Sequence, residues 1–304
     1  MTRARSRLLK CVGTCGNSVL AAMVVILACR TGEAEDRAAK RLPPVESAIT
    51  RQLATLANQD ILESSGLAAS HDVPNRFWTH NDSGDKPRLF AFDNSGRDLG
   101  VVHLASIEAV DWEDISSFRV GDRGWLLIAD VGDNARRRDT CQLHLLPEPD
   151  LRRDAPAVHS TIEFRYASGP VDCEAVGVDG TSNIVLLASK SAFRSEVFAL
   201  RIPATPTSQI QVARSIATIP VPLATGLDVS TDGRRAIVVT YADGYEFQRL
   251  ENESWSDTFN RQPQAVTMPI RRQGESICYA ADGHSLYLTS ERQPTPLWIV
   301  ERTP

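Results

Sequence analysis

The sequence predicts an all-β protein, a β-propeller of five four-stranded antiparallel blades closed by an N-terminal strand. Three observations predict it: a two-element repeat that occurs five times, Asp-Gly turns inside two of the repeats, and a strand-like segment ahead of the first repeat. Repeats of about 40–50 residues with four strands each are typical of propellers. Six blades is the alternative, because the second repeat is long enough to contain an additional weak repeat.

Each repeat contains an apolar run that ends in Thr or Ala and is followed by polar residues. Successive runs lie 50, 59, 52 and 49 residues apart when aligned on Thr79, Ala129, Ala188, Thr240 and Thr289. A second shared element precedes each run: SSGLAAS (64–70), WEDISSF (112–118), CEAVGV (173–178), TGLDVS (225–230) and ESICYA (275–280). Asp-Gly turns in STDGRR (230–235) and AADGHS (280–285) predict that the two elements form a hairpin.

The remaining strands complete the repeats. A third strand-like run follows every hairpin, and a fourth follows all but the last, where the chain ends. The segment ITRQLATL (49–56) is similar to ARSIATI (213–219), the outer run of the third repeat. We therefore expect residues 49–56 to supply the missing strand of the last repeat. A sandwich of unrelated hairpins is the competing interpretation, and five copies of one motif argue against it.

The N-terminus predicts export and lipid anchoring. Four basic residues within the first ten precede the apolar run VLAAMVVILA (19–28), which is too short to span a bilayer as a helix. Cys29 follows directly, and ILAC resembles the lipobox of bacterial lipoproteins. The expected organisation is a signal peptide (1–28), a lipid-anchored tether (29–46) and a folded domain (47–304), in the periplasm or on the cell surface. Ordinary signal cleavage near Cys29 is the alternative.

The charge balance narrows the classes of partner. The whole chain carries −5, and removal of residues 1–28 with their four positive charges leaves −5 − 4 = −9. Such a domain repels nucleic acid and anionic headgroups, so we expect no nucleic acid, membrane contact through the lipid alone, and a monomer. Cys141, Cys173 and Cys278 lack metal-site spacing. They are either small buried residues or one disulfide with a spare thiol.

Several longer stretches carry a family resemblance. SSGLAAS with WTHNDSG (78–84), and VDWEDI (110–115) with ADVGDN (129–134), resemble a family of bacterial secreted or lipoprotein-type β-propellers without an assigned activity. TDGRRAIVVT and ADGHSLYLTS are similar to the Asp-Gly propeller repeats of the Tol-system translocation protein. A more distant similarity to gluconolactonase-like propellers implies a metal ion held by acids from several blades.

Acidic residues recur at equivalent positions of the repeats. The first element places Glu113, Glu174 and Glu275 at the start of three inner strands, where they would face one opening of a central channel. Carboxylates that converge there need a cation, protonation or basic partners. One divalent cation is expected, with Ca²⁺ the best fit to an all-oxygen site. The candidate metal ligands are Glu113, Glu174, Glu275, Asp82, Asp130, Asp133 and Glu291. In the alternative, Lys190, Arg292 and water satisfy the acids without a metal.

Further residues near this opening are candidates for binding or catalysis. Asn81, Trp112, Asp114, Lys190 and Arg292 form the candidate binding set. Trp112 either stacks on a ligand or packs in the core, and His80 is either a general base or a structural residue. No nucleophile elbow, HExxH or Walker loop occurs in the sequence.

Two functions follow as expectations. The first is a binding platform for an unidentified protein or small molecule, with an acidic and calcium-binding channel mouth. The second is a metal-dependent hydrolase of a lactone or phosphoester, in which the ion activates water and His80 or a carboxylate is the base.

Overall fold

The computed structural model describes residues 48–152 and 158–302, which form twenty β-strands and one short helix. The predicted signal peptide, Cys29 and the tether lie outside these residues. The first strand is β1 (Ala48–Thr55). The next four are β2 (Ser64–Ala69), β3 (Arg76–Asn81), β4 (Arg88–Asp93) and β5 (Asp98–His103). They are followed by β6 (Trp112–Val120), β7 (Arg123–Asp130), β8 (Cys141–Pro147) and β9 (Ser160–Tyr166).

The second half of the chain has the same antiparallel organisation. Its strands begin with β10 (Cys173–Asp179), β11 (Ile184–Ser189), β12 (Ser195–Arg201) and β13 (Gln211–Ile219). Then come β14 (Gly226–Val229), β15 (Arg235–Val239), β16 (Gly244–Gln248), helix α1 (Trp255–Phe259) and β17 (Gln264–Val266). The last three strands are β18 (Ile277–Tyr279), β19 (Leu286–Leu288) and β20 (Pro296–Arg302). No helix among the described residues is long and apolar enough to cross a membrane.

The all-β class is confirmed, but the predicted propeller of five separate blades is wrong. Three sheets have four antiparallel strands each, in the orders β2-β3-β4-β5, β14-β15-β16-β17 and β1-β20-β19-β18. The other strands form a single mixed sheet of eight strands, β10-β11-β12-β13-β9-β8-β7-β6. The strands are thus distributed over four sheets, neither five nor six equivalent blades.

A parallel pairing creates the eight-stranded sheet. Strand β13 runs parallel to β9, with Gln211 opposite Phe164 and Ala213 opposite Tyr166. Each of these strands would otherwise be an edge strand with unpaired N–H and C=O groups, which explains why they join. The edge strands β6 and β10 also contact each other, so the sheet is nearly closed. It encloses its own apolar core, in which Phe164 and Phe198 are fully buried.

Local predictions about hairpins and the N-terminal strand are confirmed. β1 pairs with β20 in antiparallel orientation, with Ala48 opposite Arg302 and Thr55 opposite Pro296. The Asp-Gly turns join β14 to β15 and β18 to β19. Gly233 and Gly283 have φ of 66° and 70°, a conformation that glycine adopts without steric cost.

The first strand of each of the five sequence repeats lies beside the first strand of the next repeat. β2 contacts β6, β6 contacts β10, β10 contacts β14, β14 contacts β18, and β18 contacts β2. These five strands therefore form a closed circuit. Its members begin at one end of the molecule, and this end carries the acidic residues described below.

Buried carboxylates connect the strands of this circuit, and Asp114 is one of them. Its Oδ2 accepts hydrogen bonds from Val176 N of β10 (2.8 Å) and Leu227 N of β14 (3.1 Å). Asp228 Oδ2 likewise accepts one from Tyr279 N of β18 (2.8 Å). These amides lie on neighbouring inner strands that form no backbone hydrogen bonds with each other. The carboxylates therefore supply the acceptors that a backbone carbonyl would otherwise provide. Asp114, a member of the predicted binding set, is completely buried, and in this structure its carboxylate binds backbone amides.

Candidate functional site: an acidic opening

β-Bulges set the direction of three side chains at the start of the inner strands. The register of β2, β6 and β10 shifts at the second residue of each strand, which is Ser65, Glu113 and Glu174 respectively. A bulge turns the side chain of the extra residue away from the regular alternation of the strand. The recurrence of this bulge explains why the first elements of the repeats look alike in sequence.

We define the acidic opening as Asp82, Asp111, Glu113, Glu174, Glu275 and Glu291. The four glutamates are buried, and the two aspartates are half-buried. Their charges act on one another: Glu113 is affected by Glu174, Asp82, Asp111 and Glu275, and Glu275 by Glu291 and Glu174. The structure therefore brings together five of the seven predicted metal ligands and adds Asp111.

Three of these acids are close enough to share a metal ion. Asp82 follows β3, Asp111 precedes β6, and Glu113 lies at the bulge of β6. Ligand oxygens of the three carboxylates all lie within 4.8 Å of one another. Two ligands on opposite sides of Ca²⁺ are about 4.6–5.2 Å apart, since each Ca–O bond is about 2.3–2.6 Å. This acidic triad could therefore bind a single metal ion.

Gly132 lets the backbone approach two members of the triad. A Cβ added at this glycine would lie 2.5 Å from Asp111 Oδ2 and would also collide with Glu113 Oε1. The Gly132 N–H donates to Asp111 O (3.1 Å). A side chain larger than hydrogen at position 132 would thus displace the carboxylates, and the glycine forms one wall of the triad.

Burial and mutual repulsion favour the neutral form of Glu113 and Glu275. Desolvation, followed by the charges of Glu174, Asp82, Asp111 and Glu275, raises the pKa of Glu113 to about 11. Desolvation, followed by a hydrogen bond and repulsion from Glu291, raises the pKa of Glu275 to about 10. Without a cation both side chains are therefore protonated near neutral pH. A bound cation would supply the charge that lets them ionise.

Lys190 compensates one side of the opening. Its Nζ forms an ion pair with Glu174 Oε1 and lies 5.2 Å from the centre of the Tyr241 ring. The pKa of Glu174 is raised by burial, and the hydrogen bond and charge of Lys190 limit the rise to about 7. Basic pairing therefore satisfies part of the acidic opening, as the metal-free interpretation expects, and this part is separate from the triad.

Two of the predicted metal ligands, Asp130 and Asp133, have structural roles beside the opening. Asp130 is fully buried, forms an ion pair with Arg138 (2.7 Å) and accepts from Val110 N (3.0 Å). Asp133 accepts from the backbone amides of Arg137 and Arg138, both at 2.8 Å. The carboxylates of Asp130 and Asp133 therefore already have partners within the protein, and their assignment as metal ligands stays a prediction.

Asn81 organises the chain on both sides of β3. Its Oδ1 accepts from Leu62 N (2.9 Å) and Glu63 N (3.2 Å), while its Nδ2 donates to Asp60 O and Asp85 Oδ2. Every polar atom of the side chain is thus engaged with this protein. These contacts give Asn81 a structural role, and its assignment to the binding set stays a prediction.

His80 and Trp112 lie in the core. The His80 ring is completely buried, and its Nδ1–H donates a hydrogen bond to Asn81 O (2.9 Å). It meets the Trp112 ring edge to face at 5.6 Å, and Trp112 is only 2% exposed. In this conformation neither ring reaches a ligand in the opening. These positions fit the interpretation that Trp112 packs in the core and that His80 has a structural role.

The sequence analysis did not include Asp111 among the candidate ligands, although Asp111 belongs to the run VDWEDI that suggested the site. Asp111 lies just before β6, and its carboxylate comes close to Glu113 only because the β6 bulge turns Glu113 toward it. Arg292, in the predicted binding set, is exposed and lines a different cavity. Cys141, Cys173 and Cys278 are buried free thiols.

Comparison with known proteins does not assign this site. No protein-family model and no curated protein sequence matches the chain. The resemblance to bacterial secreted propeller proteins therefore stays a prediction. What the protein does has to be inferred from its own residues.

Proposed function

We propose that this protein is a lipid-anchored extracytoplasmic binding protein that holds one Ca²⁺ ion in the acidic triad of Asp82, Asp111 and Glu113. The observation that carries the proposal is the convergence of these three carboxylates, whose oxygens lie within 4.8 Å of one another. The protein acts as a monomer, and its partner is a protein or a small molecule, not nucleic acid.

The chemistry of the triad supports calcium over other ions. All three side chains offer hard oxygen ligands, which suit Ca²⁺ and Mg²⁺ better than softer metals. Ca²⁺ accepts flexible geometry, whereas Mg²⁺ requires a near-ideal octahedron. The triad comes from two loops and a bulged strand, an irregular arrangement that suits the larger ion. Six to eight ligands are usual for Ca²⁺, so positions remain for water or for oxygen atoms of the partner.

Binding is favoured over hydrolysis. A metal-dependent hydrolase of a lactone or phosphoester needs a base near the ion, and the predicted candidates are His80 or a carboxylate. The His80 ring is completely buried against Trp112 and cannot take a proton from a water molecule in the opening. Among the carboxylates beside the triad, Glu174 is paired with Lys190, and Glu275 is protonated near neutral pH because burial raises its pKa to about 10.

Metal content and thermal unfolding of the full-length chain test the calcium site. We expect one tightly held Ca²⁺ per chain after purification without chelator and a lower melting temperature after metal removal. A ligand at 100 times its Kd stabilises by about 2.7 kcal/mol. For a domain of this size that corresponds to about 5–10 °C.

Two substitutions make this test specific. Glu113→Gln removes one ligand charge, and we expect loss of both the bound ion and the thermal response to added Ca²⁺. Glu251→Gln, at an exposed glutamate outside the opening, is the matched control and should behave like the wild type. A chain without bound metal and without any thermal response to Ca²⁺ would refute the calcium site.

Membrane anchoring needs a separate test. We expect the chain expressed in a bacterial host to incorporate radiolabelled palmitate and to fractionate with membranes. Cys29→Ser should abolish both properties. Equal labelling and membrane association of the Cys29→Ser variant would contradict the anchor without bearing on the cation.

A further inference from the structure

A cavity of about 240 Å³ lies beside the segments 270–272 and 290–294. Side chains from β1 and β20 complete its walls. Its polar lining includes Gln52, Arg271, Arg272, Glu291, Arg292 and Trp298. Three arginines and a single acid therefore line this cavity, so it is basic where the acidic opening is acidic. Glu291 belongs to both.

Three enclosed N–H donors at this cavity have no acceptor. Arg271 Nε and Nη1 and Trp298 Nε1 are shielded from solvent and make no hydrogen bond with the residues that the structure describes. The remaining nitrogen of Arg271, Nη2, donates to Thr240 O at 3.3 Å. Buried donors nearly always have partners in folded proteins. Three unpaired donors on two side chains that line the same cavity therefore point to an acceptor supplied by a ligand.

Gly274 holds the Arg271 guanidinium in place. A Cβ added at Gly274 would lie 2.7 Å from Arg271 Nε and closer still to Cζ. The guanidinium therefore lies directly against the backbone, where only glycine leaves room for it. This contact restricts the side chain, so its free donors are positioned before a ligand arrives.

The charge of Arg271 is also incompletely compensated. Burial lowers the pKa of Arg271 to about 10, and Asp243 opposes this effect only in part. Glu291, the acid in the cavity wall, is hydrogen bonded to Glu275. An anion in the cavity would therefore meet the positive charge of Arg271, with Arg272 and Arg292 exposed beside it.

We propose that this cavity binds a small oxyanion group, a carboxylate or a phosphate, through the free N–H groups of Arg271 and Trp298. Planar guanidinium donors match the paired oxygens of both groups. The indole N–H adds a third donor, and Arg272 and Arg292 attract the anion from solvent. This site goes beyond the calcium site, since it uses other residues and requires no cation.

Calorimetric titration of the full-length chain tests the proposal. Inorganic phosphate and acetate are titrated separately, in metal-free buffer with chloride as the other anion. We expect one saturable site per chain for at least one of them. Tighter binding of phosphate identifies a phosphate group as the ligand, and tighter binding of acetate identifies a carboxylate. Absence of saturable binding for both anions overturns the proposal.

Substitutions locate the bound anion. Arg271→Gln should weaken binding by about tenfold or more, because charge-assisted hydrogen bonds are lost. Trp298→Phe keeps an aromatic ring but removes the N–H, and it should weaken binding severalfold. Arg165→Gln, at an exposed arginine of β9, should leave binding unchanged. Equal affinity of the wild type, Arg271→Gln and Trp298→Phe would refute the site.

A folding defect in Arg271→Gln would not remove the test. Arg272 and Arg292 are exposed, so the double variant Arg272→Gln/Arg292→Gln should fold. The lost attraction should weaken its binding of the same anion, and the effect should shrink as salt is added. Wild-type affinity of this double variant, together with an unfolded Arg271→Gln protein, would count against the proposal.

Discussion

Gly132→Ala changes the geometry of the acidic triad without removing any of its charge. The φ of Gly132 is not in the left-handed region, so the backbone itself tolerates alanine. The added Cβ would lie 2.5 Å from Asp111 Oδ2, whereas ordinary contact begins at 3.4 Å. The carboxylate must therefore move by 3.4 − 2.5, or about 0.9 Å, and Glu113 must move as well. Because Ca–O bonds vary by only about 0.3 Å, at least two ligands are expected to lose their positions.

The expected loss in calcium affinity is about 10–100-fold, the size reported generally for changes in residues that orient metal ligands. Calorimetric titration with Ca²⁺ measures it. Gly180→Ala is the matched control. A Cβ added at Gly180 would come no closer than 3.2 Å to another atom, Phe118 Cβ, which is a milder contact, and it lies at the opposite end of the inner strands. Wild-type calcium affinity in Gly132→Ala would show that Asp111 and Glu113 do not hold the ion.

Three further predictions concern stability. Asp114→Ala removes the acceptor of three buried amides, each costing about 1–3 kcal/mol when unpaired. We expect a loss of at least about 3 kcal/mol in urea unfolding, against under about 0.5 kcal/mol for Asp122→Ala at an exposed position, and equal losses would contradict the connecting role. Trp112→Ala should lower the free energy of unfolding by about 3–5 kcal/mol, because it deletes a core side chain. A change below about 1 kcal/mol would instead favour the alternative in which Trp112 stacks on a ligand. Because the folded-state pKa values of Glu113 and Glu275 are raised from 4.5, the metal-free folded protein binds protons that the unfolded chain releases. Its stability should therefore fall as pH rises from about 5 to about 10, while saturating Ca²⁺ should reduce this slope. Stability of the metal-free protein that rises over this range would contradict the raised pKa values.

The local features of the fold were predictable because they depend on neighbouring residues. Asp-Gly between two apolar runs specifies a hairpin turn, and Gly233 and Gly283 adopt the positive φ that such turns require. The likeness of residues 49–56 to an outer strand correctly indicated a pairing partner at the other end of the chain. The parallel contact of β9 with β13 has no local signal, because it depends on where two edge strands meet after their hairpins have folded.

The candidate site was predictable in part for a similar reason. Glu113 and Glu174 occupy one position of a repeated element, and in both strands that position forms a bulge. Asp130 and Asp133 look like ligands in sequence, yet Arg138 and nearby backbone amides occupy their oxygens. An aspartate that binds a metal ion and an aspartate that accepts hydrogen bonds from its own loop are the same residue type. The sequence therefore does not distinguish the two roles, and only the fold does.

Calcium titration in two buffers of different ionisation enthalpy tests the central claim most directly. It measures both the number of ions bound and the protons that binding releases. We expect one Ca²⁺ per chain at neutral pH, with release of about one proton because Glu113 is protonated in the metal-free protein. Asp111→Asn should weaken the binding, and Glu113→Gln should weaken it and abolish the proton release. Binding with no proton release, or binding that both variants leave unchanged, would contradict a calcium site at the triad.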